Sequence, residues 1–289
     1  MGGSLGVTRR TFIGFGLGAA ALGAVGAAAA TGVGEEVVGR ILPAPGGTPV
    51  RAGVRVTSGA FTSLAARAEV GYSIARPARG GPMRVVVVLH GKGGDHRAAF
   101  DGLHMDRSLQ EAVDEGVPPF ALASIDGGDH SYYHRRSDGT DRGAMILQEF
   151  LPLLARQGFD TSRVGFQGTS MGGYGALLLA ARLGERRTAV VGAEGPAIWR
   201  RAADTAAGAY DSAQDFAAND LFALIDELAP VPKRIDIGIA DPFYAATTAF
   251  IDSFAPRPAH AYLPGGHDPA VWVRAMPDQL RFIGGHLSA

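Results

Sequence analysis

The run Arg84-Val85-Val86-Val87-Val88-Leu89 is the strongest constraint this chain places on its own folding. Its β-branched residues favour extended backbone, and no polar residue alternates with them to give the strand a wet face. Such a strand must be covered on both sides, as happens in mostly parallel sheets wrapped by helices. Further short apolar runs follow at 120–125, 164–166, 189–191, 235–239 and 259–263. Val54-Arg55-Val56 and the segment 68–72 alternate polar with apolar and predict half-exposed strands. Between these runs, Ile146, Leu147, Phe150, Leu151 and Leu154 recur at helical spacing. Pro152 must kink that helix or lie near its start. Segments 176–183 and 221–228 are two more helical patterns. Strands alternating with helices predict an α/β fold with a mostly parallel sheet. No repeat and no second composition regime interrupts it, so one domain over 51–289 is the simplest organisation.

The most informative stretch for chemistry runs from Val164 to Leu177 and contains Gly168-Thr169-Ser170-Met171-Gly172. It reads as strand, tight turn and helix, with G-x-S-x-G at the turn. A serine held there occupies strained backbone angles and projects above the sheet, and close packing on either side leaves room only for glycine. The helix beginning at Met171 aims unpaired N–H groups at any charge developing nearby. A Gly-rich turn around a buried serine is the bland alternative.

A serine hydroxyl needs a base, and the base needs an orienting acid. In this fold class they follow in the order serine, acid, histidine. His260, His267 and His286 follow Ser170 at a distance. His267 lies in Pro264-Gly265-Gly266-His267-Asp268, a turn directly after a strand, whereas His260 falls inside the strand and His286 in the C-terminal tail. His267 is therefore the expected base. Asp241, after the 235–239 strand and before Pro242, is the expected acid, with Glu194 at the end of the 189–191 strand as runner-up. Asp268 is too close to His267 to reach around its ring, and Asp236 sits within a strand, where capping or pairing is expected.

The loop His90-Gly91-Lys92-Gly93-Gly94 leaves the buried 84–89 strand. In this architecture one oxyanion N–H comes from the residue after the nucleophile, here Met171, and the second from this loop. Lys92 is assigned that second donor, with Gly91 as the alternative. No G-K-[ST] follows, so phosphate cradling is not indicated. His90 is expected to brace the loop, since no second ligand stands at a metal-binding spacing.

Charge and composition narrow the function. The formal charge is −1, from 27 basic and 28 acidic residues, and no basic surplus exists for nucleic acid. There is no cysteine, which excludes disulfides and thiolate chemistry. Lys92 and Lys233 are the two lysines. Near the start, Thr8-Arg9-Arg10-Thr11-Phe12 precedes an uncharged, Gly-diluted apolar run ending in Ala28-Ala29-Ala30. This resembles a twin-arginine export signal over 1–30, cleaved near Thr31, with an uncut membrane anchor as the alternative. Pro43, Pro45, Gly46, Gly47 and Pro49 mark 31–50 as a flexible linker.

Together, G-T-S-M-G-G-Y-G-A at 168–176, H-G at 90–91, D-G-G at 126–128 with Tyr132-Tyr133, D-P-F at 241–243 and G-G-H-D at 265–268 resemble the Putative esterase family. That group includes esterase D (S-formylglutathione hydrolase) and the secreted mycolyltransferases, and the resemblance covers about residues 51–286. It implies an α/β-hydrolase fold without a large lid, and ester hydrolysis or acyl transfer. Carried over, it supports Ser170, Asp241 and His267 as catalytic residues, and Met171 and Lys92 as oxyanion donors. By analogy it places Asp126, His130, Tyr132, Trp199, Phe243 and Trp272 in the cleft. Mycolyltransferases usually carry Glu as the acid, and cytosolic esterase D relatives lack an export signal. The expectation is a secreted or cell-envelope serine hydrolase acting on small-molecule, lipid or sugar esters, without cofactor or metal. Its partners would be the twin-arginine machinery and no nucleic acid, with membrane contact only through the signal segment. The alternatives are an acyltransferase using a sugar or glycerol hydroxyl, and an exported binding protein without catalysis.

Overall fold

The computed structural model describes residues 53–78 and 82–287. The expected signal segment 1–30 and linker 31–50 lie outside the described residues. Eight strands form one sheet: β1 (Val54–Ser63), β2 (Ala68–Pro77), β3 (Arg84–Leu89), β4 (Ala121–Ile125), β5 (Asp160–Thr169), β6 (Thr188–Glu194), β7 (Lys233–Gly238) and β8 (Ala259–Leu263). Their order is β1-β2-β4-β3-β5-β6-β7-β8. β4 through β8 run parallel, and the β1–β2 hairpin joins antiparallel at the β4 edge. Each strand falls on an apolar or alternating run visible in the sequence. β7 ends before Ile239, however, which is exposed.

The α-helices are α1 (Met105–Asp114), α2 (Arg142–Ala144), α3 (Leu151–Arg156), α4 (Met171–Leu183), α5 (Ala213–Ala218), α6 (Ile225–Leu228), α7 (Tyr244–Asp252) and α8 (Pro269–Leu287). Between α2 and α3 the chain stays helical but winds wider over Met145–Phe150, where the Leu151 N–H donates to the Ile146 carbonyl. That wide turn brings Pro152 into the first turn of α3, where its missing N–H costs little. The single helix expected over 221–228 is instead a 3-10 turn at Leu221–Leu224 followed by one turn of α6. Leu224 departs from helical angles (φ −112°, ψ 21°) at the junction.

β3 explains the two-sided architecture. Val85, Val87 and Leu89 enter the core shared with α4 and the 142–156 helical run, while Val86 and Val88 enter the core shared with α1 and α8. Burying each such side chain is worth about 1.5–3 kcal/mol, so exposing either face of this one strand is prohibitive. Parallel strands all end at the same edge, and ligands bind in the crevice beyond that edge. The loops after β3, β4, β5, β6, β7 and β8 therefore meet there. Among the described residues, no helix is long and apolar enough to cross a membrane.

Candidate active site

Ser170 joins β5 to α4 with φ 55° and ψ −119°, angles that cost energy for any residue with a Cβ. Surrounding contacts hold it there. Its N–H donates to the Glu194 carbonyl at 2.9 Å, and its carbonyl accepts from Tyr174 and Ala197 at 3.0 and 3.1 Å. A methyl group on Gly168 would overlap the Gly172 carbonyl, and one on Gly172 would overlap the Leu89 carbonyl. Glycine at both positions thus lets Ser170 turn close against β3.

β7 and β8 bring in the other two groups. Past their ends the chains clasp each other: the Ile239 N–H donates to the Leu263 carbonyl at 2.8 Å and the Ala240 N–H to the Gly265 carbonyl at 2.9 Å. This places the His267 loop over Asp241. His267 Nδ1 donates to Asp241 Oδ2 at 2.7 Å, and its Nε2 stands 2.8 Å from Ser170 Oγ. Asp241 Oδ1 accepts the Phe243 N–H at 2.8 Å, so the carboxylate is itself oriented. The imidazole lies between two rings, with Phe243 on one contact and Trp272 on another, each centroid 5.2 Å away. All three polar residues are buried. With Nδ1 carrying a proton toward a carboxylate, Nε2 is the acceptor for the serine proton. Asp268 instead accepts the Ala270 and Val271 N–H groups and starts α8.

The loop after β3 abuts the serine: a Cβ on Gly91 would sit 3.4 Å from Ser170 Cβ. Within this loop the Gly93 N–H donates to the Asp129 carbonyl and the Gly94 N–H to the Gly91 carbonyl. Those two donors are committed to the turn. The Met171 N–H begins α4 and has no helical carbonyl to bond. His90 braces the loop: Nδ1 donates to the Gly91 carbonyl at 2.7 Å and Nε2 accepts the Gly127 N–H at 2.8 Å. Burial pushes its pKa down, keeping the ring neutral in this one tautomer.

The six expected cleft residues divide sharply. Phe243 is half-buried against the imidazole. Trp272 is buried beside the same ring and supports it. Trp199 packs behind Phe243 at 5.3 Å, and Tyr132 behind Trp199 at 5.4 Å, both buried. Both oxygens of Asp126 accept main-chain N–H groups, from Gly71 and His96. His130 lies beside Asp129 on the lining of a cavity of about 270 Å³ that Ser170, Asp241 and His267 do not line.

Two residues named in the sequence take positions that it did not indicate. Tyr133, at φ 58°, wedges its ring where side chains on Gly127 and Gly175 would overlap it, and its hydroxyl donates to the His90 carbonyl at 2.9 Å. It thus ties α4 to the loop after β3. Glu194 is buried with neither oxygen partnered among the described residues. Burial, and then the neighbouring Asp236, hold its pKa well above the usual carboxylate range. Asp236 in turn accepts from Arg234 Nε at 2.8 Å and Gln279 Nε2 at 3.0 Å. Among the described residues, no group of three or more His, Asp or Glu is arranged to hold a metal ion.

The family model described as Putative esterase matches residues 67–283. No curated protein matches the chain. Among solved structures, a ferulic acid esterase is similar at 18% identity and TM-score 0.70, covering 81% of this chain and 98% of that one. An S-formylglutathione hydrolase from Agrobacterium tumefaciens is similar at 18% identity and TM-score 0.68, covering 81% and 96%. The fluorophosphonate-binding serine hydrolase FphF of Staphylococcus aureus follows at 19% identity and TM-score 0.64, covering 80% and 99%. These likenesses establish the α/β-hydrolase fold.

Proposed function

The chain belongs to the Putative esterase family, and from that premise we propose a serine carboxylic ester hydrolase that works through Ser170, His267 and Asp241. The observation that carries this reading is the continuous path of 2.8 and 2.7 Å from Ser170 Oγ through the imidazole to Asp241. Ser170 Oγ attacks the ester carbonyl while His267 Nε2 takes its proton. Asp241 holds the Nδ1 proton and stabilises the imidazolium that forms. The oxyanion sits against the N–H groups of Met171 and Lys92, with Gly91 the alternative to Lys92. Each donor contributes about 2.7–4 kcal/mol of barrier lowering. His267 then returns the proton to the departing alcohol, the Ser170 acyl ester forms, and water clears it by the same route. Phe243 is the half-buried ring that borders the reacting centre.

Fluorophosphonate labelling tests the reading. Wild-type protein should be labelled at Ser170, and Ser170→Ala should lose both labelling and hydrolysis of p-nitrophenyl esters. Labelling that persists in Ser170→Ala would refute it. Adding glycerol or trehalose should leave acid release unchanged; a new ester of either alcohol would instead identify an acyltransferase. We assign the enzyme to the cell exterior or envelope, on the strength of Arg9-Arg10 and the mild apolar run after them. Replacing both arginines with lysine should trap the protein inside the cell.

A further inference from the structure

Lys233 opens β7, at the end of the sheet opposite to the one where Ser170 closes β5. Its side chain is buried, and among the described residues it makes no ion pair. Nζ contacts the Ala229 carbonyl at 3.5 Å and stands 4.3 Å from the centre of the Phe254 ring. Two of its three N–H donors therefore have no strong acceptor. Burying an ammonium without a counter-charge is costly, and here burial alone lowers its pKa to about 8.

This ammonium borders a cavity of about 460 Å³. Phe254 and Phe282 are the aromatic residues of its lining, joined by Pro230, Pro232, Pro256 and Pro258. The other charged or titratable groups facing it are Asp226, which is exposed, Arg257 and His286. Arg257 is already paired with Asp252 at 2.5 Å. His286 Nδ1 donates to the Phe282 carbonyl at 2.8 Å. Lys233 is thus the one buried cation of a lining that mixes polar and apolar surface about equally, with its apolar part concentrated at the two phenylalanines and the prolines.

We propose that this cavity is a second ligand site, distinct from the serine centre, that takes a monocarboxylate with an apolar body. The carboxylate meets Lys233 Nζ and accepts its two unspent N–H donors, and the body lies against Phe254 and Phe282. The argument stands on Lys233 and its surroundings, so it survives even if the catalytic reading fails.

Titration calorimetry of the full chain with octanoate near neutral pH tests it, with 1-octanol as the uncharged control. Lys233→Met should fold, since it removes a buried charge, and should bind octanoate about tenfold more weakly, while Lys233→Arg keeps most of the affinity. Affinity should fall as pH rises through about 8, where the ammonium is lost, and His286→Gln should leave that alkaline loss in place. With only two lysines in the chain, the Cε resonance of Lys233 can be followed by NMR. It should shift with octanoate while that of Lys92 stays put. Equal affinity in wild type and Lys233→Met, a still Lys233 resonance at saturation, no saturable binding, or equally tight 1-octanol would each overturn the proposal.

Discussion

Replacing Glu194 with glutamine should stabilise this protein increasingly as pH rises. Glu194 pairs in register with Thr169 on β5 and Asp236 on β7, at the edge where the loops carrying Ser170, Asp241 and His267 begin. Neither of its oxygens finds a protein partner among the described residues. Burial, and secondarily Asp236, raise its folded-state pKa well above the ordinary 4.5. The unfolded chain titrates at that ordinary value, so the folded state binds the extra proton. The stability contribution is therefore complete below about pH 4.5 and is lost as pH climbs toward the folded-state pKa. While the buried acid stays protonated, each pH unit costs about 1.4 kcal/mol, or about 3 kcal/mol across two units. Glutamine mimics the neutral acid in shape and does not titrate. Urea unfolding at steps between about pH 5 and about pH 8 should show wild type and Glu194→Gln converging at the acid end and separating steadily above it. Asp236, also raised chiefly by burial, slopes the same way in both proteins, so the difference isolates Glu194. Turnover of Glu194→Gln should stay within about twofold of wild type, because Asp241 holds His267. Parallel stability curves across the whole range would refute the reasoning, and a turnover loss beyond about a hundredfold would return Glu194 to the role of orienting acid.

Two other substitutions probe the same edge. Asp241→Asn should lower kcat by about four orders of magnitude with the fold intact, because the amide favours the wrong imidazole tautomer; circular dichroism and steady-state kinetics check both halves. Gly172→Ala should cost about 3 kcal/mol or more, because its methyl group must displace the Leu89 carbonyl of β3. Denaturant unfolding reads that cost.

Much of this fold was legible because each strand carries its own apolar signature. The β3 run alone implied two covered faces, and the turn around Ser170 announced itself through Gly168 and Gly172, glycines that closely packed backbone requires. The helices were less visible. α8 does repeat Val271, Trp272, Met276, Leu280 and Ile283 on one face, but Pro277 and the Gly284-Gly285 pair interrupt the pattern. α7 mixes Ala and Thr with few large apolar residues, so its periodicity is faint.

Strand propensity, glycine spacing and the chain order of Ser170, Asp241 and His267 are local properties, and the sequence by itself determined them. Which groups touch was decided only in three dimensions. The clasp between the loops after β7 and β8, the rings flanking His267, the spending of Asp126 on main-chain N–H groups, the burial of Lys233 and the lack of a hydrogen-bond partner for Glu194 among the described residues all depend on strand register and on segments far apart in the chain. The physical reason is that burial and pairing belong to neighbours in space. A carboxylate or an ammonium reads the same in any sequence, and only the packed surroundings decide whether it braces a loop, orients a base or waits without a partner.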